Sequence, residues 1–149
     1  MATTSAKLAE LVGRMPDPDG KGMYCKDIDK EKIDGAIAKI HEGGRENIIG
    51  IIDMLVEPGK GDDVKAHYAL HCIGLHICNN GNKKALGDFS AALASQIGGD
   101  RPKGVQSYLI QELQSFGGKE VVRKLGRLTG DKVLGPPATM AIQAIRGSG

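Results

Sequence analysis

"AHYALHCI", residues 66–73, is the stretch on which the fold turns. At about 100° per residue, Ala66, Ala69, Leu70, Ile73 and Ile77 share one stripe of a helix. Val64, Tyr68, Cys72 and Leu75 form a second stripe, nearly opposite. A helix that is apolar on two sides is expected to have neighbours on both. His67, His71 and Cys78 form a third stripe, at spacings of four and seven.

Set beside "AHYALHCI", three other segments fall into register: "IDGAIAKI" (33–40), "QSYLIQEL" (106–113) and "ATMAIQAI" (138–145). The fourth column reads Ala36, Ala69, Leu109, Ala141, and the fifth Ile37, Leu70, Ile110, Ile142. The eighth reads Ile40, Ile73, Leu113, Ile145. Successive offsets are 33, 40 and 32 residues. Between these segments lie "NIIGIIDML", "KALGDFSAAL" and "EVVRKLGRL". They align Ile48 with Ala85 and Val121, Ile49 with Leu86 and Val122, and Ile52 with Phe89 and Leu125. Their offsets are 37 and 36 residues. Alternating helices at such a period predict an α-solenoid, in which stacking of units supplies the core.

The small–aliphatic–x–x–aliphatic pattern of the first set resembles HEAT-like, armadillo-like repeats over roughly residues 27–149. The helix-A proline and helix-B arginine usual in such repeats are mostly missing. The resemblance implies an all-α fold: a short right-handed α-solenoid of HEAT-like helical hairpins, about three and a half pairs over 27–149. Residues 1–26 are expected to form an N-terminal helix, "TTSAKLAELVGRM" (3–15), and a loop.

The punctuation between segments agrees with helices. No alternating strand pattern is present. Asp29, Asp62 or Asp63, and Asp100 stand where N-caps are expected, and Pro136 and Pro137 open the last helix. Gly43-Gly44, Gly81, Gly98-Gly99 and Gly117-Gly118 stand at helix ends, where a left-handed residue is wanted. "PGKGDD" (58–63) reads as a turn and lacks the spacing and the Ser/Thr of a phosphate-binding loop. Glycine is abundant, 22 of 149 residues, and Gly35, Gly50, Gly74, Gly87 and Gly126 lie inside the expected helices. Each costs about 1 kcal/mol relative to alanine, which close helix approach would justify.

Composition narrows the function classes. No apolar run is long enough to span a bilayer, and the first fifteen residues lack the pattern of a secretory signal. Cys25, Cys72 and Cys78 are odd in number, which fits free thiols in a reducing compartment. A cytoplasmic protein is expected, with no membrane partner. Cys25 adjoins Lys26, but no nucleophile–base set accompanies it, so catalysis and a cofactor are not expected.

Three surfaces are candidates. His67 and His71, four apart, have zinc-ligand spacing, and Cys78 offers a thiolate, with His41 or Asp88 as possible further ligands. Tyr68 rather than Glu follows His67, so this is not the metalloprotease motif. A buried repeat helix with a polar histidine edge is the preferred reading over a metal or haem site on the 62–80 helix. Second, residues 101–149 hold eight Lys/Arg against three Asp/Glu, while residues 1–100 hold twelve against fifteen. Lys119, Arg123, Lys124 and Arg127, with Arg101 and Lys103 before them, could track a nucleic-acid backbone. A solvated helix face is the preferred reading, although the resemblance extends to alkylpurine DNA glycosylases, and likewise to bilin lyases. Third, the helix around Met140, Ile142 and Ile145 is apolar nearly all round. It is expected to fold onto the preceding pair, or to dock on another protein or a second copy of the chain. The leading expectation is a non-catalytic protein-interaction or scaffold module, with Met140, Ile142, Ile145, Arg123 and Arg127 as contacts.

Overall fold

A computed structural model describes residues 6–16, 30–57 and 59–147. Among them there is no strand. The α-helices are α1 (Ala6–Gly13), α2 (Lys30–Glu42), α3 (Gly44–Met54), α4 (Val64–Asn79), α5 (Lys83–Ser95), α6 (Lys103–Phe116), α7 (Val122–Gly126) and α8 (Gly135–Gly147). A 3₁₀ turn, Lys119–Val121, precedes α7. Cys25, the loop around it and the expected cap Asp29 lie outside the described residues. The chain forms two compact units, Met1–Leu55 with Asp62–Asn80, and Val56–Gly61 with Gly81–Gly149.

In the first unit, α1 to α4 pack against one another in all pairings. Leu8, Leu11 and Val12 of α1 are buried, as are Ile33, Ala36, Ile37 and Ile40 of α2. Ile48, Ile51 and Ile52 come from α3, and Ala66, Ala69, Leu70, Ile73 and Ile77 from α4. Each fully buried Leu or Ile contributes about 1.5–3 kcal/mol of transfer free energy. The turn from α2 to α3 is a single step at Gly44, whose φ of 63° suits glycine. Asn47 then donates its amide to the Ile40 carbonyl at 2.9 Å, satisfying one of the last carbonyls of α2.

The second unit is built around α6, which packs on α5 and α8, while α7 packs on α8. Val105, Leu109, Ile110, Leu113 and Phe116 are buried along α6. Phe89 of α5 meets Phe116 edge to face, with ring centres 5.8 Å apart. The register read from the sequence holds at the core: columns one, four and eight of the four aligned segments are buried throughout, and in column five only Ile142 is half exposed.

Several local expectations are corrected. The second stripe of α4 is not covered as the first is: Val64 is 40% and Leu75 45% exposed, with Tyr68 and Cys72 intermediate. Asp63 sits at the N-cap of α4, but its carboxylate meets His67 at 3.0 Å, and Asp62 accepts from the Val64 amide at 3.2 Å instead. Asp100 caps nothing, because α6 starts at Lys103. Its first-turn amide at Gly104 is taken by Glu57 at 2.6 Å, a carboxylate well placed at a helix N-terminus. Asn82 caps α5 by accepting from the Ala85 amide at 3.0 Å.

The glycines divide into distinct roles. Gly44, Gly81 and Gly98 have positive φ, as expected. Gly117 does not: at φ −77° it is extended, and its need is space. A Cβ there would lie 2.6 Å from the Leu113 carbonyl oxygen and 3.2 Å from Ile145. Close helix approach explains Gly50, whose Cβ would lie 2.5 Å from Leu8, but not Gly35, Gly87 or Gly126, where nothing lies within 4 Å. Gly35 is exposed in the middle of α2. Gly35→Ala is therefore expected to raise stability by about 0.5–1 kcal/mol, read as a higher denaturant midpoint at unchanged slope.

The segment "EVVRKLGRL" does not form a helix as long as its counterparts. It breaks into the 3₁₀ turn and the five residues of α7, whereas α3 has 11 and α5 has 13. The turns that follow end at Asp131, whose Oδ1 accepts from the Val133 and Leu134 amides at 2.8 and 3.0 Å. Lys103 donates to Asp131 Oδ2 at 2.8 Å. That bond, then the two amides, hold the Asp131 carboxyl at about 2, below its ordinary 3.8. A carboxyl whose pKa is lower folded than unfolded adds stability above the unfolded value and loses it as pH falls through the folded one. Asp131→Asn is expected to flatten the loss of stability between about pH 4 and 2. An NMR titration of Asp131 with a midpoint near 4 would contradict the pairing.

Candidate functional site

The expected basic stripe divides between residues engaged within the chain and residues left exposed. Lys124 turns inward and donates to the Ala94 carbonyl near the end of α5. Burial, and then the Arg127 charge, lower its pKa. A cation at a helix C-terminus complements the carbonyls there, so Lys124 ties α7 to α5. Lys103 is engaged by Asp131, and Arg101 Nε donates to Gln96 at 3.0 Å. Lys119, Arg123 and Arg127 remain exposed, distributed over the 3₁₀ turn, α7 and the residue that ends it.

The histidine stripe also divides. His67 is half-buried and paired with Asp63, while His71 and Cys78 are exposed. Among the described residues, no three His, Cys, Asp or Glu side chains lie close enough to hold one ion. Asp88, expected as a possible further ligand, pairs with Lys84 at 3.3 Å. His41 does not join His67 and His71; its ring meets His76 edge to face, with centres 5.6 Å apart. Sequence spacing placed three donors on one helix face, but whether donors converge depends on the neighbouring helix. No periodicity in one segment carries that.

The terminal helix resolves the three hydrophobic candidates. α8 packs on α6 and α7. Ile145, expected as a contact residue, is 3% exposed and lies against Gly117, so it is core. Ile142 is half-buried. Met140 is 57% exposed. It lines a groove of about 450 Å³ with Ser107, Gln111, Gln114 and Ser115 of α6, and Pro136 and Pro137 of α8. Among the described residues that line it, the groove carries amides, hydroxyls, a thioether and proline rings, and no charged group.

The α6 side of this groove was not singled out from the sequence. Its signal was there: Ser107, Gln111 and Gln114 follow one another at spacings of four and three, a polar stripe beside the buried columns. What a stripe faces is known only once α8 is placed.

Among the described residues, no helix is long and apolar enough to cross a membrane. Compared with protein-family models, with curated proteins and with solved structures, the chain matches none.

Proposed function

We propose that this chain is a non-catalytic protein-interaction module, and that its helices stack as a short right-handed solenoid of HEAT-like hairpins. The burial of the repeated columns supports the repeat reading: the same register positions supply core in α2, α4, α6 and α8. The observation that carries the interaction reading is the groove at Met140. An exposed thioether beside prolines, rimmed by neutral hydrogen-bonding side chains, has the make-up of an interface patch. Methionine is adaptable in contact, and uncharged polar groups cost less to desolvate than charged ones. The expected partner is another protein, a second copy of this chain included. Arg123 and Arg127 would orient it by charge.

The test is native co-purification from the source cell with nuclease present, comparing the wild-type chain with Met140→Asp. A protein held in stoichiometric amount by the wild type and lost from the variant is expected. Equal recovery on both removes the groove from the reading. Material that disappears with nuclease and depends on Arg123 and Arg127 would replace a protein partner by nucleic acid.

A further inference from the structure

We infer that Met140 is a site of reversible oxidation, at which a peroxide converts the thioether to a sulfoxide that the groove then holds by hydrogen bonds. The site stands on its own geometry, while its effect on a partner rests on the interaction reading above.

Exposure singles out this sulfur. Met140 is 57% exposed on α8, whereas Met15 is 2% exposed and Met54 is half-buried. Oxidation by a dissolved peroxide needs access to the sulfur. Exposure alone would make Met140 a point of damage, but its neighbours give the product a place. Ser107, Gln111, Gln114 and Ser115 of α6 line the same groove, and α6 packs on α8 within the second unit. Among the described residues, none of these four side chains is engaged in a hydrogen bond within the chain. Their hydroxyls and primary amides all carry donors, and a thioether sulfur is only a weak acceptor for them. A sulfoxide oxygen is a strong one. The described lining residues carry no charge, so no fixed ion competes for the donors.

The step uses one peroxide. The Met140 sulfur gives an electron pair to one peroxide oxygen, the S–O bond forms and the O–O bond breaks. The proton on the transferred oxygen passes to the departing hydroxide, which leaves as water. Sulfur is oxidised by two electrons and the peroxide reduced by two. In the return step a methionine sulfoxide reductase removes the oxygen as water while two thiols become a disulfide. Oxidation thus exchanges a flexible apolar contact for a polar, chiral one. A partner packed on the thioether loses that contact, so the reduced chain binds it and the oxidised chain releases it.

The test treats the full, native chain with hydrogen peroxide and maps oxidation by peptide mass spectrometry. Met140 is expected to be oxidised roughly tenfold or more faster than Met15, and faster than Met54, and a methionine sulfoxide reductase is expected to reverse the change. The side-chain amide NMR signals of Gln111 and Gln114 read the capture of the sulfoxide. They are expected to shift on oxidation, to return on reduction, and to stay in place when Met140→Leu receives the same peroxide. Equal oxidation rates at the three methionines overturn the site. Unmoved amide signals overturn it too, as does a shift that persists in Met140→Leu, which would belong to the thiols. None of these readouts needs a partner, so the oxidation site and the interaction reading fail separately. A partner that depends on Met140 is expected to be lost from the oxidised wild type and kept by Met140→Leu with or without peroxide. A partner retained by the oxidised wild type overturns the switch.

Discussion

Leu109→Ala is expected to destabilise the protein by about 3 kcal/mol, within the usual range of about 2–5 kcal/mol for such a truncation in a core. Leu109 is fully buried on α6, the helix that meets both α5 and α8. The loss combines the transfer free energy of the deleted atoms with a cavity that the surrounding helices close only in part. Gln111→Ala, two residues on and exposed, is expected to change stability by less than about 0.5 kcal/mol. Urea unfolding followed by circular dichroism checks both. The contrast tests the repeat register itself, because Leu109 is the column-four residue and Gln111 the column-six residue. Similar losses at the two positions would mean that α6 is rotated from the face described.

Gln106→Leu is expected to cost about 2 kcal/mol although it exchanges a buried polar side chain for an apolar one of similar size. The Gln106 side chain is 0% exposed and joins three backbone groups of the preceding loop. Its Oε1 accepts from the Gly98 amide at 2.8 Å, and its Nε2 donates to the Gly99 and Arg101 carbonyls at 3.1 and 2.6 Å. Each net bond is worth about 1 kcal/mol, and a partner left buried and unmet costs more. Added apolar burial offsets part of the loss. Amide hydrogen exchange should show faster exchange at Gly98 in the variant, since its N–H loses its acceptor. Unchanged exchange at Gly98 together with unchanged stability would remove the loop-anchoring role.

Gln106 also shows where a periodic reading misleads. It heads the "QSYLIQEL" segment at a position filled by Ile33, Ala66 and Ala138 in the other three. A polar residue in an apolar column reads as an exception to burial, yet it is as buried as its equivalents. A glutamine is long enough to satisfy a turn while its stem stays in the core. The missing Asp100 cap has the same origin. The acceptor for α6 comes from Glu57, 47 residues before Gly104, and no local capping pattern can disclose a partner so distant in the chain.

The amino-acid sequence by itself determined that the protein is helical, where most helices begin and end, and that columns four and eight of the four aligned segments are buried. Those properties are local, since periodicity near 3.6 residues, proline and left-handed glycine act within a few residues of chain. Only the tertiary structure decided which charged and polar groups remain for a partner. Lys124 and Ile145 sit in the segments expected to make contacts, and neighbouring elements draw both inward. Met140 stays out, and His41 meets His76 instead of the stripe on α4. Burial of a helix face follows from its own residues, whereas the company a side chain keeps depends on elements distant in sequence, and sequence spacing within one helix carries no record of them.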